Sequence, residues 1–414
     1  MWKYAAVLLH GGSLDPLRER PFRLLFLGRT LSGVGDAIVP VAITFAVLDI
    51  GDATDLGIVL GSGGVAQVLF LMVGGVWADR LPRQLVMMAA DIARAVVQAL
   101  IAAAFFIGTI EVWQLALASG VFGAASAFFN PASTGLIPQI VSAERLQEAN
   151  ALLSLSRSAI NVFGPAVSGV VVATLGFGVV FAVDAATFIA SFVFLAAMRL
   201  PHAIDRVKRQ SMVTDALEGL RVVRERRWMV VTLCSDFVFN IALAAFFVLG
   251  PVVVEEQFDG ARDWGFVMTI GAIGGLLGGA FALRFKPQRP LLFGYLIAFV
   301  TPIELLILAP PLPLAIVMIG AGLLFFEIVV FNTLYATMQQ QHVPAEALSR
   351  VDSLGWTVSL IGFPLAMFAV GPLSSWIGVE TTLILSSLIG ALATLGALAS
   401  RDVRNLRPVT GTTA

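Results

Sequence analysis

Long apolar stretches recur along this 414-residue chain, separated by short polar turns. About 20 apolar residues in a row cross a bilayer as a helix. In lipid, only helices and closed barrels satisfy every backbone hydrogen bond. The pattern of runs and turns predicts twelve helices, over roughly 22–48, 56–78, 84–108, 111–138, 150–175, 178–199, 229–254, 264–284, 290–309, 312–338, 351–376 and 379–400. Composition points the same way. Only 13% of residues are charged and 58% are apolar, whereas soluble domains carry about 25% charge. That leaves too little charge to cover a water-facing surface, which excludes a soluble enzyme, a nucleic-acid binder and a disordered chain. Twelve spans use about 240 residues, leaving short loops and no large soluble domain. The expected class is an all-α membrane protein.

Charge placement predicts the topology. With both ends cytoplasmic, 22 of the 26 Lys and Arg residues fall on the inner side. Arg29, Arg94 and Arg157 lie inside spans, and only Arg262 lies outside. The outer loops carry acids instead, among them Asp49, Asp52, Asp55, Glu255, Glu256 and Asp263. This one-sidedness follows the positive-inside rule and implies an even number of spans with cytoplasmic N and C termini. The apolar run Tyr4 to Leu9 is too short for a cleaved leader, so the first span is expected to serve as an uncleaved anchor.

The longest polar stretch lies at mid-chain. It divides the sequence into a six-helix bundle over 1–203, a linker over 204–228 and a second six-helix bundle over 229–414. Met212, Val213, Ala216, Leu217, Leu220 and Val223 recur in the linker at helical spacing among basic residues. They read either as an amphipathic helix on the inner membrane surface or as a solvated linker helix.

The two halves repeat. Phe129-Asn130, Gln139, Val141, Ala143-Glu144, Leu146 and Leu152 recur 202 residues later as Phe331-Asn332, Gln341, Val343, Ala345-Glu346, Leu348 and Leu354. Asp55-Leu56-Gly57 echoes Asp263-Trp264-Gly265, and Gly75 echoes Gly279. Six helices, a linker and six related helices imply a parallel repeat. Transporters built this way place substrate near mid-membrane, at the interface of the halves.

Three motifs carry a family resemblance. The turn between the second and third spans reads Gly75-Val76-Trp77-Ala78-Asp79-Arg80-Leu81-Pro82-Arg83-Gln84. It resembles the signature loop of the major facilitator superfamily, with Gln84 where that family has a basic residue. The resemblance implies a cytoplasmic latch formed by Gly75, Asp79, Arg80 and Arg83; a generic basic turn is the other reading. In the fifth span, Gly164-Pro165-Ala166-Val167-Ser168-Gly169 is similar to the antiporter motif of drug/proton exchangers, with Ser168 in place of a glycine. Gly164, Pro165 and Gly169 are thus candidates for a coupling role, or simply for a bend and tight packing. Asn130-Pro131 to Pro138, Glu144-Arg145-Leu146, Ala149 to Leu152 and Gln341 to Val351 look like the branch that holds enterobactin-type siderophore exporters and macrolide and multidrug efflux pumps. That resemblance implies proton-driven export.

Charges inside the membrane are the site candidates, because each costs roughly 2.5–3.5 kcal/mol at mid-bilayer even on the lenient scale. Arg29 and Asp36 lie seven apart on the first span, on nearly one face, among Gly28, Ser32, Gly33 and Gly35. Asp36 is the leading candidate for a proton-coupling acid, and Glu327, near the middle of the tenth span, is the second. A structural pair between Asp36 and an arginine of another helix is the competing reading. Asp91 and Arg94 are three apart and can pair on one face. Arg157 could partner Asp36 or Asp91. Arg29, Asp91, Arg94 and Arg157 make up the expected intramembrane charge network. Asp184 and Asp236 read as helix-packing polar groups, and Glu304 as lying within reach of the outer interface. Phe128-Phe129, Phe246-Phe247 and Phe325-Phe326 could face a cavity suited to bulky compounds, although most Phe residues should face lipid.

The expected function is secondary active transport: proton-coupled export of bulky organic compounds, of the drug or siderophore class, by alternating access. An importer or lipid-flipping transporter of the same fold is the alternative. A membrane-embedded enzyme or sensor is remote, since no catalytic cluster or output domain is visible. Cys234 stands alone and His10, His202 and His342 are scattered, so neither a metal site nor a cofactor is expected. With no Gly-x-x-x-x-Gly-Lys-Ser/Thr loop, ATP drive is not expected either. The expected partners are a small-molecule substrate, protons and the bilayer, with no nucleic acid. The protein is expected to act as a monomer, multi-pass in the cell membrane, the bacterial inner membrane.

Overall fold

A computed structural model describes residues 15–142, 145–199 and 220–408. Among them every regular element is a helix. The helices of the first half are α1 (Arg20–Ile50), α2 (Ala53–Arg80), α3 (Arg83–Ile107), α4 (Val112–Ile140), α5 (Leu146–Leu175) and α6 (Phe177–Ala196). Those of the second half are α7 (Arg227–Gln257), α8 (Gly260–Arg284), α9a (Pro290–Ile297), α9b (Val300–Leu308), α10 (Leu314–His342), α11 (Ala345–Ile377) and α12 (Val379–Ala399). Among the described residues, eleven stretches are long and apolar enough to cross a membrane, with α9a and α9b together counting as one. A shorter apolar helix stretch, Ile361–Ile377, lies in α11.

The ninth predicted span is not one continuous helix. It breaks at Ala298 and Phe299. Pro302 has no N–H to offer the Ala298 carbonyl four residues back, and its ring crowds that carbonyl. Composition did not flag this break, because Pro40, Pro131, Pro165, Pro251 and Pro364 all sit inside unbroken helices. Of the mid-chain linker, residues 204–219 lie outside the described residues. Residues 220–224 are helical, and Val223 is buried in a cluster with Trp228 and Met229.

The internal repeat is visible in the backbone. Helices α4 and α10 have 29 residues each and begin 202 positions apart. Gly176 alone connects α5 to α6, and Gly378 alone connects α11 to α12, again 202 positions apart. Their φ values of 81° and 90° lie in the region that L side chains avoid, so only glycine turns the chain there without strain. The helix starts match as well. The Asp52 backbone N–H donates to Asp55 Oδ2, and the Asp259 N–H donates to Asp263 Oδ2, each at 3.1 Å. Each carboxylate satisfies an N–H left free at a helix start.

The chain divides into two compact units, Met1–Ala46 with Ser62–Val207 and Val47–Gly61 with Lys208–Ala414. In the first, α3 lies along α4 and α6. In the second, α8 lies along α10, and α7 packs on α11 and α12. Small residues permit the closest crossings. A methyl group at Gly123 of α4 would collide with the Gly63 carbonyl of α2, and one at Gly274 of α8 with the Gly322 carbonyl of α10.

Candidate functional site

Each unit encloses a cavity. The cavity in the first unit measures ≈ 390 Å³, and Arg29, Asp36, Arg94 and Arg157 all line it, together with neutral polar side chains such as Ser119, Asn130 and Asn161. The first span contributes Arg29 and Asp36 because seven residues bring the helix nearly full circle. Asp36 opens into the cavity, its side chain 42% exposed.

From Arg94 in the cavity wall, α3 carries a buried polar ladder. Arg94 donates to Asp91 Oδ1 at 2.6 Å, and Ser191 of α6 donates to Asp91 Oδ2 at 2.7 Å. The Arg94 guanidinium lies between the rings of Phe129 and Phe188, at 4.4 and 4.3 Å from their centroids, where a cation is attracted to the ring faces. One turn further along α3, Gln98 donates to Asp184 Oδ2 at 2.6 Å. Asp91 and Asp184 are both fully buried. Asp36 lies 3.9 Å from Arg94. Among the described residues, Arg157 stands at ion-pair distance from neither Asp36 nor Asp91, although it shares the cavity with Asp36.

The Gly164-Pro165 stretch of α5 packs against α1. A methyl group at Gly164 would collide with Ala37, and Ser168 donates to the Ile38 carbonyl. Ser168, which stands where the drug/proton exchanger motif has glycine, therefore anchors the cavity helix α1. Pro165 and Gly169 lie within the continuous α5.

The cavity in the second unit measures ≈ 310 Å³ and has a different character. Phe239, Tyr295, Phe331 and Tyr335 line it with Asp236 and Glu327, and no basic side chain is among its described lining. Glu327 accepts a hydrogen bond from Thr301 at 3.1 Å. Of the three Phe pairs singled out in the sequence, Phe129 lines the first cavity. Phe246, Phe247 and Phe325 pack on one another instead. Glu304 departs from expectation. Rather than reaching the interface it is 1% exposed, and neither carboxylate oxygen has a hydrogen-bond partner among the described residues. Gly320 of α10 makes the room, since a methyl there would collide with the Glu304 carboxyl.

Comparison with known proteins shows the family of this helical fold. The model of the Major Facilitator Superfamily matches residues 25–367. The chain belongs to the major facilitator superfamily. It is similar to the multidrug efflux pump Tap of Mycolicibacterium fortuitum, 26% identical over 393 residues that cover 90% of this chain and 93% of Tap. It is also similar to the macrolide efflux protein A of Streptococcus pyogenes, 22% identical over 378 residues, 89% of this chain and 93% of that protein. Among solved structures, a bacterial homolog of the human lysosomal transporter Spinster shares the fold with a TM-score of 0.73 at 15% identity, covering 94% of this chain and 98% of that one. The protein is thus a multi-pass membrane transporter of the major facilitator superfamily.

The signature loop of a major facilitator protein falls here at the α2–α3 turn. Gly75, Asp79 and Arg80 belong to the last turns of α2, and their surroundings lie outside the described residues. Arg83 donates to the Gly135 carbonyl of α4. Gln84, the departure from the family's basic residue, donates to the Leu195 and Met198 carbonyls at 2.6 and 2.9 Å, satisfying acceptors at the end of α6. The sequence reading missed Gln84, Gln98, Ser191 and Thr301 as site-supporting residues. Gln98 carried a signal: it lies four and seven residues beyond Arg94 and Asp91, on the same helical face.

Proposed function

We propose that this protein is a proton-coupled exporter of bulky organic compounds, working by alternating access as a single chain in the bacterial inner membrane. The proposal includes twelve spans, the twelfth supplied by α11 with its apolar stretch Ile361–Ile377, and both termini on the cytoplasmic side, where the basic residues concentrate. The observation that carries it is the Asp36 carboxyl. It opens into the cavity of the first unit and stands 3.9 Å from an arginine that Asp91 already holds. Such an acid can change its charge without dismantling the buried pair behind it. Glu327 is the second candidate, a buried carboxyl that lines the cavity of the second unit and accepts a hydrogen bond from Thr301. The efflux relatives support export over uptake.

The test uses purified protein in liposomes with an imposed pH gradient and a panel of macrolides, siderophores and dyes of either charge. The proposal expects transport of at least one compound, abolished by a proton uncoupler. Transport that ignores the uncoupler would remove proton coupling from the reading.

A further inference from the structure

The first unit's cavity carries more positive charge than its own residues neutralise. Among its described lining residues, three arginines stand against one carboxylate, Asp36. Arg94 is spent on Asp91 and fixed between two rings. Arg29 and Arg157 remain, and among the described residues neither has a carboxylate at ion-pair distance or a side-chain hydrogen bond. Arginine does not give up its proton in proteins. Two uncompensated guanidinium groups inside membrane spans are costly unless something neutralises them. Asp36 can serve at most one of them. The other lining groups named above, Ser119, Asn130 and Asn161, are neutral hydrogen-bonding partners and add no negative charge.

We infer that this cavity binds the anionic group of the transported compound, a carboxylate held by Arg29 and Arg157. The inference deepens the transport reading and rests on it for calling the occupant a substrate. A planar guanidinium matches a carboxylate in a two-point contact that an ammonium cannot reproduce. A volume of ≈ 390 Å³ leaves room for an attached ring system. Asp36 is then the cavity's built-in competitor, an internal carboxylate that draws on the same guanidinium groups.

The test is equilibrium binding to purified full-length protein in phosphatidylcholine nanodiscs, which contain no anionic lipid to fill the cavity. The probes share one ring and differ only in the head: 1-naphthoate, 1-naphthamide and 1-naphthylmethylammonium. Naphthoate should bind most tightly. Arg29→Gln and Arg157→Gln should each weaken naphthoate about tenfold or more, the usual worth of a hydrogen bond to a charged group, and leave naphthamide within a few-fold. Arg29→Lys and Arg157→Lys should retain part of the affinity. Asp36→Asn, which removes the competitor, should bind naphthoate more tightly. This last variant keeps both arginines, so it decides the question even if the glutamine variants do not fold. Equal binding of the three probes, or unchanged naphthoate affinity in both glutamine variants, would overturn the inference. So would weaker naphthoate binding by Asp36→Asn. Binding needs no proton gradient, so a failure of proton-driven export would leave this result standing on its own.

Discussion

Asp36 stands 3.9 Å from the Arg94 guanidinium, whereas Arg94 donates to Asp91 at 2.6 Å. The two acids around one arginine are therefore unequal. Asp91 is fully buried and doubly hydrogen-bonded, while Asp36 faces the cavity. That inequality suits Asp91 to a structural task and, on the proposed function, Asp36 to carrying the proton. Asp36→Asn is expected to abolish transport driven by a pH gradient while leaving expression and thermal stability near those of the wild type. The check is transport in liposomes beside heat unfolding in detergent. Wild-type gradient-driven transport in this variant would sink the role of Asp36.

Asp91 should behave in the opposite way. Asp91→Leu leaves Arg94 buried without its partner, and breaking a buried pair from one side costs roughly 3–5 kcal/mol. The double variant Asp91→Leu, Arg94→Met removes both charges and should recover part of that loss. Heat unfolding of the three proteins reads the difference. A single variant as stable as the wild type would refute the structural assignment.

Glu304 allows a prediction of the opposite sign. Its buried carboxyl has no hydrogen-bond partner among the described residues, and an unpaired buried polar group costs about 1–3 kcal/mol. Glu304→Met, similar in length and apolar, should hold or raise the unfolding temperature. A clear fall would show that the carboxyl makes an interaction essential to the fold.

The α8–α10 crossing depends on the absence of a side chain. Gly274→Ala drives a methyl into the Gly322 carbonyl, whereas the same change at Gly396 on α12 meets nothing. Overpacking of this kind costs typically 1–3 kcal/mol. Gly274→Ala should therefore lower thermal stability and Gly396→Ala should not. Equal behaviour of the two would argue against close backbone contact.

Much of this architecture was legible in the chain, for identifiable reasons. Apolar runs bounded by charge locate the spans because lipid tolerates little else. The Asp91–Arg94 pair was readable because both residues lie on one helix, three positions apart. The Gln98–Asp184 and Ser191–Asp91 bonds were not, since they join α3 to α6 across 86 and 100 residues. One sequence records which residues share a helix face but not which faces meet. The break in the ninth span was hidden for another reason. Proline is tolerated inside several other spans, so Pro302 carried no distinguishing mark.

That break also leaves its span short. From Pro290 to Leu308 it has 19 residues, about 28 Å if it were straight, slightly less than the hydrocarbon core of about 30 Å. Its counterpart in the first half, α3, has 25 residues and reaches about 37 Å. The surrounding lipid has to thin at α9a and α9b, or polar flanks such as Arg289 have to reach outward to the headgroups. Bilayer thickness thereby enters the energetics of this span. Lipids of graded acyl length would load this broken span and the longer α3 in opposite senses.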